Sequence, residues 1–337
     1  MRKKLLDVLA CPDCYGILEC EPSDVADDSD VIAGKLICQT CEKVFPIERG
    51  IPRFVPSGNY ATSFGYQWNR FRREQIDSLN GTRQSEKRLL SETAWADEWW
   101  SGKYILDAGC GAGRFLEVAS RHTDCDVVGV DISSAIDAAQ ETVAGRSNAH
   151  LVQASIFNLP FRPGSFDGVY CIGVIQHTPD PPSAIESLAD NVKEGGEIAV
   201  TIYERRWFTL LYRKYWLRPL TTRISPAWLL TLIKSLMPFA FALSEVLFRV
   251  PYLKKVFQFV LPVANYVEAK ELSLRQRYQW AILDTFDMLA PAYDKPQRED
   301  NVVKLLTARS ICDIRRLANA GLNLVGRKSR DIHDVHA

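Results

Sequence analysis

The stretch YILDAGCGAGR, residues 104–114, decides the fold of this 337-residue chain. Its apolar run ends in Asp107, and glycines follow at positions 109, 111 and 113. This order predicts a buried parallel strand, then a tight turn, then a helix. Glycine suits such a turn because it tolerates positive φ and lets the backbone approach a bound ligand closely. A dinucleotide-binding turn reads G-x-G-x-x-G, and its last glycine would fall where Arg114 stands. The spacing therefore disfavours a nicotinamide-dependent oxidoreductase.

This glycine turn resembles motif I of the class I S-adenosylmethionine-dependent methyltransferases. The resemblance implies an α/β fold with a Rossmann-like doubly wound sheet, and it implies S-adenosylmethionine as the cofactor. It also implies that five residues of the stretch bind this cofactor: Asp107, Gly109, Cys110, Gly111 and Gly113.

A second acid ends the next predicted strand. Residues 127–131 read VVGVD, and Asp131 comes 18 residues after Gly113. A carboxylate there can accept hydrogen bonds from both ribose hydroxyls, because its two oxygens have matching spacing. We expect the neighbouring Ile132 to pack on the adenine ring. The alternative, a surface acid at a strand end, is disfavoured by the preceding glycines.

The third predicted strand, residues 150–154, leads into Ser155 and Ile156. The methyltransferase family usually has an acid where Ser155 stands, bonded to the adenine amino group. Serine can accept that bond but lacks the charge, so this residue departs from the family pattern. Ile156 remains a candidate for packing on the base.

The fourth predicted strand, residues 166–173, resembles the family pattern again. Ligands of open parallel sheets bind beyond the carboxyl ends of the strands. Cys171, Ile172 and Gly173 are therefore expected to line the methionine part of the cofactor. His177 follows and is the candidate general base. The alternative is a structural histidine that holds its loop. Residues 195–203 predict a turn and a fifth strand.

Four cysteines near the beginning of the chain form two C-x-x-C pairs, Cys11 with Cys14 and Cys38 with Cys41. Two such pairs give the four thiolate ligands of a structural, tetrahedral Zn²⁺ site. The alternative is four free buried cysteines. Cys20 is left over and is expected to pack. Between the pairs lies an acidic segment, interpreted as a hairpin tip, with Asp24, Asp27, Asp28 and Asp30.

The sequence around these cysteines, LLDVLACP at 5–12 and FPIERGIP at 45–52, resembles a small zinc-ribbon family. That family is related to the activator subunit of transfer-RNA and protein methyltransferases. The resemblance implies a non-catalytic metal module over residues 1–56. A closed shell of four cysteines leaves no open position for a substrate.

The connector, residues 57–103, carries the segment SFGYQWNRF at 63–71. A similar segment covers the cofactor pocket in ribbon-fused methyltransferases, and Trp68 could face the sulfonium through cation–π attraction. The alternative is that Phe64, Trp68 and Phe71 only dock a helix on the core. Residues 83–100 predict an amphipathic helix. Its expected inward positions are Leu89, Leu90, Ala94 and Trp95.

The core, residues 104–204, is followed by an aromatic and basic insertion at 205–262. The insertion has ten cationic residues and one acid, Glu245, so its net charge is +9 in a chain of net charge zero. Residues 228–248 come closest to a membrane span, but Lys234, Pro238 and Glu245 interrupt them. The pattern suits a helical lid or an interfacial contact with an anionic membrane. The alternative is a helical subdomain or homodimer interface with a solvated basic face.

Residues 263–337 are expected to complete the methyltransferase domain. The segment DTFDMLAPAY, residues 284–293, resembles one in the same ribbon-fused enzymes. Asp284, Asp287 and Tyr293 are candidate acceptor contacts, with capping or packing as the alternative. We predict a helix through Val302, a second helix over 311–320 and a late strand over 320–325. The tail to residue 337 is expected to be a short last strand or disordered.

Together these features predict an enzyme that methylates a small-molecule or lipid-like acceptor. The alternatives are a non-catalytic scaffold on the same fold, and methylation of transfer RNA or protein. Neutral overall charge gives no broad electrostatic footprint for nucleic acid. The first residues predict no secretory signal peptide, and nine cysteines then favour a cytoplasmic, reducing location, with membrane contact at the surface.

Overall fold

The fold is described from a computed structural model, which covers residues 1–26, 30–56 and 58–330. Two parts of the sequence predictions lie outside the described residues. These are Asp27 and Asp28 of the acidic hairpin tip, and the tail from residue 331 to 337.

The first structural unit is a small antiparallel sheet that begins after a 3₁₀ turn, Lys3–Asp7. Its strands, β1 to β4, are Leu18–Val25, Val31–Cys38, Val44–Glu48 and Ile51–Pro52. They pair in sequence order. Leu36 and Cys38 on β2, and Phe45 and Ile47 on β3, are buried at alternate positions, which is the period-two pattern of strands with one buried face.

The second unit is a seven-stranded sheet in the order β10-β11-β9-β8-β5-β6-β7. Its strands, β5 to β11, are Tyr104–Ala108, Asp126–Asp131, Ala149–Gln153, Phe166–Ile172, Val192–Ile202, Ile311–Arg316 and Leu322–Lys328. The strands β5 to β9 pair in parallel, whereas β11 pairs antiparallel with both neighbours. This sheet, the small ribbon and a helical insertion confirm the predicted fold class.

Helices cover both faces of the large sheet and form the insertion. The helices α1 to α6 are Thr62–Gln75, Asp77–Asn80, Gln84–Thr93, Arg114–Ala119, Ala135–Thr142 and Pro181–Asp190. The helices α7 to α11 are Arg213–Thr221, Pro226–Leu247, Lys254–Val260, Leu274–Leu289 and Glu299–Ala308.

The glycine turn joins β5 to α4, as the sequence predicts. Gly113 has a φ of 83°, and a Cβ there would lie 3.3 Å from the Cα of Ala139 in α5. This glycine therefore permits α4 and α5 to pack closely. The later pair, Gly195 and Gly196, lies inside β9 rather than before it, where the pairing with β8 shifts register.

Two predictions about secondary structure are wrong. Residues 311–316 form β10 instead of a helix, because a register shift after Cys312, with Asp313 at φ 51°, turns both Ile311 and Ile314 toward the core. Their spacing of three residues therefore imitates a helical pattern. The helix predicted over 83–100 ends at Thr93, and Ala94 is an exposed left-handed cap rather than an inward residue. Leu89 and Trp95 are buried, and Leu90 is half-buried.

The ribbon docks against the β7 edge of the large sheet. The Phe54 N–H donates to the Gln153 carbonyl at 2.8 Å. The Arg53 guanidinium donates to the Gln153 side chain at 2.7 Å and to Asp137 at 2.8 Å. Leu9 forms an isolated bridge with Phe161, and one hydrophobic cluster runs from the ribbon into the sheet. The ribbon and the large domain thus share a core.

Candidate functional site

A cavity of about 1440 Å³ opens beyond the carboxyl ends of the parallel strands β5, β6, β8 and β9. This is the edge at which ligands bind in open α/β sheets. The volume exceeds the range of about 300 to 1,000 Å³ that is common for one small ligand, so two molecules can share the space. Nine residues of the predicted site line it: Trp68, Gly109, Cys110, Gly111, Asp131, Ile132, Ile172, Gly173 and His177.

The glycine turn forms one wall of this cavity. The N–H groups of Gly109 and Cys110 both donate to the Val130 carbonyl of the adjacent strand, at 2.7 and 2.9 Å. Gly109 has a φ of 81°, and a Cβ there would lie 2.5 Å from Val174. The turn is therefore held by the sheet, and its first glycine cannot be replaced without displacing the loop after β8.

Asp131 ties this turn to the end of the next strand. Its Oδ2 accepts from the Gly111 N–H at 2.9 Å, and its Oδ1 accepts from the N–H and hydroxyl of Ser133 at 2.8 and 2.6 Å. Burial raises the pKa of Asp131, and these hydrogen bonds oppose the shift. The carboxylate lines the cavity, with lone-pair capacity left for a ligand.

Helix α1 covers the cavity with aromatic side chains. The Phe64 ring lies 5.2 Å from the His177 ring, and the indole nitrogen of Trp68 would lie 3.2 Å from a Cβ at Gly111. Both side chains line the cavity. Phe71, by contrast, packs with the buried face of α8. Two of the three aromatic residues thus cover the pocket, and the third docks the helix.

Five predicted cofactor residues lie outside the cavity wall within the described part of the chain: Asp107, Gly113, Ser155, Ile156 and Cys171. Ile156 and Cys171 belong to the hydrophobic core, and Gly113 packs on α5. Ser155 accepts a hydrogen bond from the Phe157 N–H at 3.3 Å. Contact of these five with the cofactor stays a prediction.

Asp107 is buried beneath the turn at the end of β5. Burial raises the pKa of its carboxyl from 3.8 to about 8, while the neighbouring Tyr170 hydroxyl lowers it. A carboxyl in this setting is largely protonated near neutral pH. Asp107 is therefore a buried titratable group directly under the glycine turn.

Arg114, which the sequence used only to exclude a dinucleotide turn, proves to be part of the site. It lines the cavity and donates to Gln75 Oε1 at 2.8 Å and to Ser85 Oγ at 3.0 Å. Its guanidinium also lies 5.7 Å from the centre of the Trp280 ring. Burial lowers its pKa to about 10. The sequence feature that could have identified Arg114 is its position, a cation directly after the last glycine of the turn.

The far side of the cavity carries two acids of α10. Asp284 accepts from Gln75 Nε2 at 3.3 Å and from the Tyr266 hydroxyl, and Asp287 accepts from Gln67 Nε2 at 3.2 Å. Burial raises the pKa of Asp284 to about 6, and Tyr266 opposes this shift. Both acids line the cavity. Tyr203 and Tyr266 also line it, and no sequence pattern identified them.

His177 lies at the junction of the two sides, 5% exposed, with its ring against Phe64 and 5.5 Å from Tyr203. Its Nδ1 lies 3.0 Å from the Tyr293 carbonyl, which can only accept. Nδ1 is therefore the donor in this contact, which leaves Nε2 as the ring nitrogen that a ligand can reach. Tyr293, a candidate acceptor contact from the sequence, thus holds His177 through its backbone.

The four ribbon cysteines come together as the sequence predicts. Their Sγ atoms all lie within 4.8 Å of one another. Two pairs are closer: Cys11 and Cys41 at 3.6 Å, and Cys14 and Cys38 at 3.4 Å. Zn–S bonds of about 2.3 Å in a tetrahedron need sulfurs roughly 3.8 Å apart, so this donor set fits Zn²⁺. Cys20 lies apart, half-buried.

Comparison with known families agrees with this geometry. Residues 106–200 match the family described as "Methyltransferase domain". Residues 2–50 match the family described as "Trm112p-like protein". With the seven-stranded sheet and the four-cysteine cluster, the chain carries a class I S-adenosylmethionine-dependent methyltransferase domain behind a Trm112p-like zinc-ribbon region. The resemblances stated from the sequence are confirmed.

Individual proteins resemble parts of the chain. A ubiquinone biosynthesis O-methyltransferase of Pectobacterium carotovorum is 31% identical over 119 residues, which cover 31% of this chain and 44% of the relative. Another, from Acinetobacter baumannii, is 30% identical over 144 residues, which cover 37% of this chain and 57% of the relative. An uncharacterized Synechococcus protein is 32% identical over 104 residues, covering 29% and 25%. The chain thus spans a quarter to just over half of the length of these curated relatives.

Among solved structures, a magnesium protoporphyrin IX methyltransferase from Synechocystis is 18% identical, with a TM-score of 0.43, and covers 80% of this chain and 97% of its own. A chain from a complex of the Haloferax volcanii Trm112 methyltransferase activator is 15% identical, with a TM-score of 0.42, and covers 79% and 97%. Similarity this low says nothing of what this chain binds.

Removing one ribbon cysteine is expected to remove the metal and unfold the ribbon. Structural zinc contributes folding free energy directly, so Cys14→Ser should lose the one Zn²⁺ per chain and lower the unfolding temperature. Elemental analysis by plasma mass spectrometry and thermal unfolding measure the two effects. Cys20→Ser, the control, should keep both. Wild-type protein that carries no zinc and ignores chelators would contradict the assignment.

The raised pKa of Asp107 predicts a pH dependence of stability. The unfolded carboxyl titrates near 3.8 and the folded one near 8, so the folded state binds this proton more tightly. Its contribution to the free energy of unfolding, on the order of 4 to 6 kcal/mol, is fully present below pH 4. This contribution is lost as the pH rises to about 8. Chemical unfolding across that range should show a shallower decline for Asp107→Asn than for wild type.

The control for this measurement is Asp124→Asn. The Ser101 hydroxyl donates a hydrogen bond to Asp124 and lowers the pKa of its carboxyl, so its titration lies below that range. The control should keep the wild-type decline between pH 4 and 8. An Asp107→Asn profile parallel to wild type would show that Asp107 does not titrate there.

Proposed function

We propose that this protein binds S-adenosylmethionine against its glycine turn and methylates a small-molecule or lipid-like acceptor. The observation that carries the proposal is one continuous cavity with two unlike sides. One side has the glycine turn and Asp131. The other has the aromatic and acidic groups of residues 203–287, and His177 stands between them.

The residues present fit the cofactor. Gly111, at φ 54°, has no Cβ, and the Trp68 indole lies directly against it, so glycine lets this aromatic side chain approach the turn where it lines the cavity. Asp131 is positioned to accept ribose hydroxyls, and Ile132 lies beside it on the wall. S-adenosylmethionine supplies an already electrophilic methyl group, so the chain's main task is to align an acceptor lone pair.

An oxygen or nitrogen acceptor must also lose a proton, and the cavity offers two groups that could take it. His177 presents Nε2, since Nδ1 is committed to the Tyr293 carbonyl. Asp284, whose pKa is raised to about 6, is mostly ionised at neutral pH. The proton would pass from the acceptor to one of these groups as the new bond to carbon forms.

The nature of the acceptor is supported by relatives that carry the names of small-molecule methyltransferases. The ubiquinone biosynthesis enzymes are the clearest case, since they are 31% and 30% identical to this chain over 119 and 144 residues. The mixed aromatic and polar wall of Tyr203, Tyr212, Tyr215 and Tyr266 suits a ring-bearing or amphipathic acceptor.

A second candidate function is methylation of transfer RNA or protein, favoured by the Trm112p-like match at residues 2–50. A third is a non-catalytic scaffold on the same fold. The neutral net charge of the chain argues against a large nucleic-acid surface, and the cavity lined by the glycine turn and Asp131 argues against a scaffold.

Two measurements test the proposal. Calorimetry should show binding of S-adenosylmethionine to wild type, and at least tenfold weaker binding to Asp131→Ala. Asp180→Ala, which removes an exposed cap of α6, is the control and should bind normally.

The second measurement follows a labelled methyl group. The protein and methyl-labelled cofactor are incubated with small-molecule, lipid, transfer-RNA and protein fractions of a cell extract, and the label should appear in the small-molecule or the lipid fraction. Label in RNA or protein would favour the second candidate, and absent binding would favour the scaffold.

The role of His177 can be tested with two substitutions, His177→Asn and His177→Gln. The asparagine amide places an N–H near the position of Nδ1 and can keep the bond to the Tyr293 carbonyl. The longer glutamine side chain places a polar atom near the position of Nε2. If His177 is the base, both variants should lower the rate of label transfer at least 100-fold, with cofactor affinity unchanged. Near-normal transfer by His177→Asn would instead show that the histidine only holds its loop.

A further inference from the structure

The outer face of α8 is apolar, although it is exposed. Six side chains recur at intervals of three or four residues and form a stripe along the helix: Trp228, Leu232, Leu236, Phe239, Leu243 and Val246. Trp228 is 73% exposed and Phe239 is 81% exposed. A helix that faces water ordinarily carries polar residues there. We call these six residues the apolar stripe.

The apolar stripe belongs to a wider exposed surface on the insertion. Of the 24 large apolar side chains that are exposed in the described part of the chain, 16 lie within residues 205–262. They include Trp207 at 89% and Tyr252 at 99% exposure. Contiguous apolar surface of this kind marks a contact with a membrane or a partner.

Unpaired cations accompany this surface. The one acid of the insertion, Glu245, accepts from Arg277 of α10 and from Arg249, so it is neutralised locally. Five exposed cations of the insertion have no carboxylate partner within the described residues: Arg205, Arg213, Arg223, Lys234 and Lys255. The guanidinium of Arg213 lies instead over the Trp216 ring, at 5.7 Å. Basic groups among aromatic and aliphatic ones match the boundary of an anionic bilayer.

From the apolar stripe and these cations together, we propose that residues 205–262 dock on the surface of an anionic lipid bilayer. The helix α8 is long and apolar enough to cross a bilayer by length and composition, contrary to the sequence estimate. Its opposite face, however, packs on α10 through Ile233, Met237 and Phe241. Crossing would expose that buried face, whereas lying in the interface buries only the stripe.

The docked surface adjoins the cavity. The same insertion supplies Phe208, Tyr212 and Tyr215 to the cavity wall, and the Tyr212 ring lies 4.5 Å from Phe259 of α9. An acceptor that partitions into the bilayer would then reach the cavity along the insertion. This last step rests on the proposed function, whereas the docking itself does not.

Vesicle flotation tests the docking with the full chain. We expect binding to vesicles of phosphatidylcholine with 30% phosphatidylserine at low salt, weaker binding at high salt, and little binding to phosphatidylcholine alone. Replacing three unpaired cations, in Arg205→Glu/Arg223→Glu/Lys255→Glu, should weaken binding on the order of 100-fold. Lys3→Glu/Arg275→Glu/Lys304→Glu makes the same charge change outside the insertion and should bind as wild type.

The apolar stripe is tested in the same assay by Leu236→Asp/Phe239→Asp, which should abolish flotation. Leu79→Asp/Leu274→Asp, also exposed but outside the insertion, should not. If the wild-type protein binds neither type of vesicle, the docking proposal is wrong, whatever the variants do. Two other results would also contradict it. One is a dimer in ultracentrifugation that dissociates in the Leu236→Asp/Phe239→Asp variant, which would make the stripe a dimer interface. The other is protein that alkaline carbonate cannot extract from membranes, which would indicate a spanning helix. Calorimetry of S-adenosylmethionine, done without vesicles, judges the proposed function separately.

Discussion

The site depends on one half-buried carboxylate, that of Asp131, which joins the ends of two neighbouring strands. It accepts from Gly111 in the turn after β5 and from Ser133 beyond β6. A buried charge is costly unless it is hydrogen-bonded, and here two N–H groups and one hydroxyl meet that need. The turn is therefore shaped before any ligand arrives. A ligand that binds the remaining lone pairs finds a wall already in place, which lowers the ordering cost of binding.

The cofactor side could be predicted from sequence because its pattern is local. Asp107 and Asp131 lie at the carboxyl ends of β5 and β6, the glycines directly follow β5, and parallel topology brings these strand ends together. Whether a residue then faces the cavity depends on side-chain direction, which explains why Ile156 and Cys171 lie in the core. The other side has no such pattern. The bond between Gln67 and Asp287 joins residues 220 positions apart, and only the packing of α1 on α10 creates it. The register shift near Asp313 likewise gives strand residues a helix-like spacing of apolar side chains, so the sequence wrongly predicted a helix there.

The zinc ribbon solves two problems of a different kind. A unit of some 50 residues buries too little apolar surface to be stable alone, so its four cysteines and its shared core with the large sheet both contribute. The large sheet, in turn, would expose β7 as an edge strand. The backbone pairing of Arg53 and Phe54 with Gln153 covers part of that edge. Fusion thus stabilises both units, whatever further part the ribbon has in recognising an acceptor.

Helix α10 connects the interior of the site to the outer surface. Asp284 and Asp287 project from it into the cavity, where Gln75 and Gln67 of α1 hold them. Elsewhere along α10, Arg277 binds Glu245, and Phe286 packs in the cluster that buries the inner face of α8. Helix α10 therefore joins the packed inner face of α8 to the two acids that line the cavity. The glycine turn, by contrast, is bonded to the sheet through the Val130 carbonyl. The wall proposed to bind the cofactor is thus bonded to the sheet, whereas the wall proposed to bind the acceptor is packed against the helix whose outer face is exposed.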